Sequence, residues 1–337
     1  MRRRRAARTG VKPRTILAVI LVESAGRRFS PGSCRSGCGD DCSPGADCHN
    51  GLMSVIRDRW RWRRGEPVDF AAPVSMVASG AHIEHPDYVK WVPRLEQPHG
   101  RHRKVWEWCF ILNALERHGV LAPGKSALGF GVGTEAVVPL LARHGVRVTA
   151  TDQSVEQAGA WATVGQHASA IDALRRPNVC DDRTFDELVD FRAVDMRRIP
   201  SDLRDFDATW SSCCFEHLGS KQAGFDFVLD SLRTLRPGGV AVHTTEFDCT
   251  PGRRPLLETG SVQAGDYCCF FRRPEVEELI DLVRAEGHRV TADLRLGRRH
   301  PYDRHVDRPP YTGDPHLRLA VRDRVITSVG LVIVAAG

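Results

Sequence analysis

Gly129-Phe130-Gly131-Val132-Gly133-Thr134-Glu135 lies between an apolar run, Ser126 to Phe130, and a helical pattern from Glu135 to His144. Glycines in such a turn let the backbone pass close to a ligand, and the start of the helix offers N–H groups without an internal partner. Asp152 closes the next apolar run, Val146 to Thr151. An acid about 20 residues beyond a glycine turn can accept hydrogen bonds from both hydroxyls of a ribose. The two features together point to an adenosine-containing ligand. Gly131-x-Gly133-x-x-Ala136 also fits the dinucleotide pattern, so the turn alone keeps NAD among the candidates.

Residues suited to proton transfer follow downstream. Phe215-Glu216-His217-Leu218 comes shortly after the run Phe206 to Ser212, and Glu246 comes after the run Val240 to Thr244. A hydroxyl acceptor needs its proton removed, and His217 and Glu246 are the expected catalytic residues. His243 falls inside its run and is expected as a core or pocket histidine. The stretch from His300 through Asp307, Pro309, Pro310 and Tyr311 to His316 is long, polar and aromatic. Long loops of this kind often carry function, and acceptor recognition is expected here. Its histidines and carboxylates match no recognised ligand spacing, so no metal is assigned.

These residues need elements to hold them. Val105, Trp108, Cys109, Leu112 and Leu115 recur at helical spacing. Strands are expected at Ser126–Phe130, Val146–Thr151, Phe191–Val194, Ala208–Trp210 and Val240–Thr244. Helices are expected at Glu135–His144, Gln222–Leu235 and Pro274–Glu286. Alternation of this kind implies a parallel sheet covered on both faces. Leu317–Val321 and Val325–Ala335 are separated by a short break and predict an antiparallel hairpin closing the sheet edge.

Phe206-Asp207-Ala208-Thr209-Trp210-Ser211-Ser212, then Glu216-His217-Leu218, then Leu235-Arg236-Pro237-Gly238-Gly239 form an ordered set. With the glycine turn, this set resembles the class I S-adenosylmethionine-dependent methyltransferases, over roughly residues 105–337. The segments around Arg308-Pro309-Pro310-Tyr311 and Thr327-Ser328-Val329-Gly330-Leu331 look like bacterial enzymes that methylate small molecules and sugars. The resemblance implies an α/β fold: a doubly wound, mostly parallel seven-stranded sheet with a C-terminal antiparallel hairpin. It implies S-adenosylmethionine as cofactor, with Gly129, Gly131 and Gly133 under its methionine part and Asp152 on the ribose. Asp195 would meet the adenine amino group beside Met196, and Ser211 and Ser212 would line the methionine end. Gly129 stands where the family usually has an acid, and Glu135 where it has a last glycine. The methionine amino group is therefore expected to be held differently. The implied reaction is O-methylation of a small molecule or sugar, ahead of N-methylation. A NAD-dependent oxidoreductase and a non-catalytic cofactor-binding module are the alternatives.

The chain has 337 residues, 42% hydrophobic and 27% charged, a globular composition. Its formal net charge is +6, yet ten basic and four acidic residues fall within 1–52, which leaves 38 of each beyond. A nucleic-acid face needs its positive charge on the folded domain, so no nucleic-acid partner is expected. No apolar run approaches the roughly 18 residues that span a bilayer, so no membrane partner is expected. Residues 1–52 are rich in Arg, Gly, Ser and Cys and read as a disordered or mis-assigned extension. Their short apolar run, Ile16 to Val22, lacks the clean cleavage site of a secretory signal. Cys34, Cys38, Cys42 and Cys48 are too crowded for the usual zinc spacing. The other seven cysteines include two adjacent pairs and suggest reduced thiols in the cytoplasm. Residues 53–104, with Trp60, Trp62, Tyr88 and Trp91, read as a cap or lid ahead of the 105–337 domain.

Overall fold

The computed structural model describes residues 67–72, 74–97, 100–155, 167–252, 254–259 and 268–337. The expected extension over 1–52 and Trp60 and Trp62 lie outside the described residues. The strands are β1 (Ser75–Val77), β2 (Ser126–Phe130), β3 (Arg147–Asp152), β4 (Val189–Ala193), β5 (Phe206–Ser212) and β6 (Leu235–Asp248), then β7 (Leu257–Thr259), β8 (Cys268–Phe270), β9 (Ala292–Asp293), β10 (Leu319–Val321) and β11 (Arg324–Val334). The main sheet runs β4-β3-β2-β5-β6-β11-β1-β9, with β10 paired to β11, and β7 pairs β8 apart from it. Neighbours from β4 to β6 are parallel, and β11 is antiparallel to β6 and β1. The α/β, mostly parallel class expected from the sequence is the one observed.

The strand count and the sheet edge differ from expectation. Among the described residues this sheet holds nine strands rather than seven. The C-terminal hairpin is present, but it does not close the sheet, because β1 and β9 lie beyond β11. Three residues are too few for a period-2 pattern, so β1 leaves no signal in the sequence. It forms through its partners: Met76 pairs with Gly330 on one side and with Asp293 on the other.

Both faces of the sheet are covered, and its central strands β5, β6 and β11 are buried along most of their length. Helices α1 (Arg103–Arg117), α2 (Val137–Arg143) and α3 (Asp182–Leu188) contribute Trp106, Phe110, Leu141 and Phe185 to one apolar layer. Tyr88 and Trp91, expected in a cap, belong to the same layer, and Trp91 is fully buried. Helices α4 (Lys221–Leu232) and α5 (Arg273–Ala285) supply Phe225, Phe227, Leu279 and Ile280 to the other. Helix α1 starts at His102, whose Nδ1 accepts from the Lys104 amide at 3.0 Å. That cap fixes where the helix begins, and so where Arg103 and Lys104 stand.

The chain passes from β2 to β3 and β4 on one side, then returns to β5 and β6 on the other. Open α/β sheets bind ligands beyond the carboxyl ends of the strands at such a reversal. The residues after β2 and β5 therefore stand where a ligand would bind.

Candidate active site

The turn after β2 is built for close approach. Gly131 and Gly133 have φ of 56° and 52°, a region that side chains with a Cβ rarely adopt. A Cβ on Gly131 would stand 2.8 Å from Cys214 Sγ and 3.5 Å from Met196 Sδ. The turn after β2, Met196 after β4 and Cys214 after β5 therefore meet at one point. Gly129 is a glycine for another reason: a Cβ there would run into the Trp210 indole, so its place is set by packing.

Asp152 ends β3 beside this turn. Its Oδ2 accepts from the amides of Gly133 and Ala168, each at 3.1 Å, and Oδ1 accepts from Gln153 at 2.8 Å. Burial raises its pKa, against the lowering effect of these bonds. The carboxylate shapes the turn and, with two lone pairs per oxygen, keeps capacity for hydroxyl donors. Asp195 is one-third exposed and clasps Arg197 through Nε at 3.0 Å and Nη2 at 2.9 Å. That pairing holds its carboxyl below the usual range. Met196 is buried next to it.

The two serines diverge. Ser212 Oγ takes a hydrogen bond from Lys104 Nζ at 3.1 Å, facing α1. Ser211 is fully buried, and its Oγ lies 2.9 Å from His243 Nδ1. His243 Nε2 is 3.0 Å from Ser231 Oγ, and burial pushes the imidazole down to about 3. His243 is thus a neutral core histidine, and the Ser211 hydroxyl belongs to the core with it.

Beyond Ser212 lies a buried charged cluster that the sequence reading did not contain. Lys104 Nζ contacts Ser212 O at 2.9 Å, Glu135 Oε1 at 3.1 Å and Glu107 Oε2 at 3.3 Å. Arg103 reaches Glu107 Oε1 at 3.0 Å, Cys213 Sγ at 3.3 Å and the Glu246 carboxylate. Glu246 Oε2 accepts from Cys268 Sγ at 3.0 Å. Ser328 Oγ on β11 donates to Glu107 Oε1 at 2.5 Å. Burial would raise the Glu107 pKa, but Lys104 and Arg103 hold it below the usual range. Glu135 is pushed up by burial, which Lys104 only partly offsets. The signal was in the sequence: Arg103, Lys104 and Glu107 interrupt an apolar helix at i, i+3 and i, i+4 spacing. Of the two expected bases, Glu246 belongs to this cluster through Arg103 and Cys268. Glu246 is buried, and its amide donates to Glu216 Oε1 at 3.2 Å. His217 is half-buried in the short turn Phe215–His217.

The long loop is tied down at two acids. Asp303 accepts from Ser79 Oγ at 3.0 Å and from the Gly80 amide at 2.9 Å. Asp307 Oδ2 lies 2.6 Å from His316 Nδ1. Among the described residues, no group of three or more His, Cys, Asp or Glu is placed to hold a metal ion. No helix there is long and apolar enough to cross a membrane.

Residues 128–243 match the family model described as a methyltransferase domain. A comparison with curated proteins gives no match. Among solved structures, the chain is similar to the Burkholderia thailandensis 1,6-didemethyltoxoflavin-N1-methyltransferase, with 16% identity over 88% of this chain and 94% of that one and a TM-score of 0.40. A putative S-adenosylmethionine dependent methyltransferase from Listeria monocytogenes aligns at 12% identity over 69% and 98%, with a TM-score of 0.43. For a putative sarcosine dimethylglycine methyltransferase from Galdieria sulphuraria the identity is 19%, over 41% of this chain and only 45% of that one, with a TM-score of 0.32. The strand reversal between β2 and β5, the glycine turn facing Met196, Asp152 closing β3 and the family match lead to one conclusion: the chain carries a methyltransferase domain of the class I, S-adenosylmethionine-dependent type.

Proposed function

We propose that the protein transfers a methyl group from S-adenosylmethionine to a hydroxyl group of a small molecule or a sugar. The observation that carries the cofactor part is the convergence of Gly131, Met196 and Cys214, where a single added Cβ would fill the space. Asp152 would hold the ribose, Asp195 and Met196 the adenine, and Gly131 and Gly133 the approach to the methionine part. Glu135 and Lys104 stand at the end of that cradle and fit the amino and carboxylate groups of the methionine. S-adenosylmethionine supplies a sulfonium methyl that is already activated. The protein's own task is to align the acceptor and exclude water.

The acceptor in this reading lies past Ser212, between the Arg103–Glu246 pair and the turn carrying His217. The excess of carboxylates there suits a polar acceptor without negative charge. His217 and Glu246 remain our candidates for contact with the acceptor. Seven cysteines outside any disulfide among the described residues fit a reducing, cytoplasmic location.

Calorimetry with S-adenosylmethionine, S-adenosylhomocysteine and NAD tests the cofactor. Binding of NAD in place of the other two would overturn the reading. A methylation screen against sugars and phenols tests the acceptor class. His217→Ala and Glu246→Ala are expected to leave cofactor affinity nearly intact while at least one slows turnover.

A further inference from the structure

We propose that Asp307 and His316 form the general base of the acceptor site, and that the acceptor is a phenol- or enol-type hydroxyl. The proposal rests on the methyltransferase reading and deepens it.

Asp307 is fixed before it meets the imidazole. Its Oδ1 accepts from the Thr312 amide at 3.1 Å and from Thr312 Oγ1 at 3.2 Å, and its Oδ2 accepts from the Gly313 amide at 3.0 Å. Burial raises its carboxyl, but His316 and these donors outweigh it and hold it below the usual range. An ionised carboxylate only accepts. The 2.6 Å contact therefore requires a proton on His316 Nδ1, and a neutral ring then carries its lone pair on Nε2. The Nδ1 contact with Asp307 is the one hydrogen bond of the His316 ring among the described residues.

The ring is held in place from several sides. The His316 amide donates to Arg101 O at 2.8 Å, and the Arg103 amide donates to His316 O at 3.0 Å. His316 therefore stands at the start of α1, whose Arg103 runs to Cys213 and Glu246. His102 stacks on the ring at 4.6 Å, and Tyr311 meets it edge-on at 5.4 Å. Asp307, His102, Arg103 and Tyr311 are the titratable and charged groups that face it. Burial and Arg103 push the His316 pKa down and Asp307 pulls it up, with a net lowering. The imidazole is thus neutral, and able to accept a proton, at neutral pH.

The neighbouring alternatives are committed elsewhere. Both Glu246 oxygens are engaged, by Arg103 and by Cys268. His102 caps α1 through Nδ1, and burial pushes it down to about 3. An imidazole base matches an acidic hydroxyl, near a phenol's pKa of about 10, far better than an aliphatic alcohol. In the step, the acceptor O–H bond breaks and an N–H bond forms at Nε2. The imidazolium charge is balanced by Asp307. The acceptor oxygen takes the methyl group, the electron pair of the broken C–S bond stays on sulfur, and Nε2 later returns its proton to water.

Two phenols of different acidity test this, with S-adenosylhomocysteine calorimetry as the control. His316→Gln is expected to slow methylation of phenol by about 100-fold or more, and of 4-nitrophenol, already ionised at about pH 8.5, by less than tenfold. Asp307→Asn should show the same selectivity. Equal losses on the two phenols would assign His316 a purely structural role and overturn the proposal. Wild-type protein that binds S-adenosylhomocysteine but methylates neither phenol would overturn the proposal and spare the methyltransferase reading. Absence of that binding would remove the reading itself. Long-range nitrogen-15 NMR gives a readout independent of turnover. Nδ1–H with a bare Nε2 on His316, reversed in Asp307→Asn, is expected, and Nε2–H in the wild type refutes the dyad.

Discussion

Lys104 Nζ stands 3.1 Å from Glu135 Oε1 and ties the helix before the first core strand to the turn after it. The same ammonium bonds the Ser212 carbonyl at 2.9 Å, so three separate stretches of chain share one charge at the mouth of the candidate cradle. Lys104→Met would leave Glu135 without its cation and Glu107 with Arg103 alone. Removing one partner of a buried pair costs about 3–5 kcal/mol. A urea midpoint unchanged in Lys104→Met would show that the cluster does not hold the fold together.

Asp152 has two tasks, and the substitution should separate them. Asp152→Asn keeps one oxygen to accept from the turn but loses the negative charge. Charge-assisted hydrogen bonds contribute about 1.5–3 kcal/mol each. S-adenosylhomocysteine affinity is expected to fall at least about tenfold, with a small change in Tm. Equal affinity of variant and wild type by calorimetry would remove the ribose assignment.

Acid should destabilise the protein through buried histidines. Burial pushes His82 down to about 4 and His102 and His243 down to about 3, from an ordinary value of 6.5. Between those values the unfolded chain binds protons that the folded chain refuses. Stability is then complete above pH 6.5 and falls as pH drops toward 3 to 4. The thermal midpoint should decline steadily from pH 7 to about 4.5, and the decline should be shallower in His102→Gln. A midpoint independent of pH over that range would contradict the assignment.

Charge beyond residue 52 is balanced, with 38 basic and 38 acidic residues. Phosphate binding needs net positive potential and shows a steep salt dependence. Fluorescence titration of a chain starting at Met53 with DNA and RNA should detect no salt-dependent association. Binding that weakens with rising salt would place a nucleic acid among its partners.

The local code was enough for the skeleton. Ser126–Phe130 was legible to the residue because an apolar run bounded by glycines has few other readings, and α1, α4 and α5 followed from apolar spacing. The glycine turn and Asp152 were legible for the same reason, since backbone freedom and strand ends are local properties. Strand β1 was not, because three residues become a strand only when β9 and β11 supply its hydrogen bonds. The direction of the Ser211 side chain was not, because the partner that claims it, His243, lies 32 residues away on the neighbouring strand. The charged cluster was written in Arg103, Lys104 and Glu107, but their targets Glu135, Glu246 and Ser328 come from distant parts of the chain. Asp307 and His316 stood in the sequence as two polar residues of one loop. Only the folded chain brings them to 2.6 Å, stacks His102 on the ring and sets both at the start of α1. Periodicity and turn chemistry act over a few residues and fix the elements. The pairing of buried charges depends on which elements become neighbours, and tertiary packing decides that.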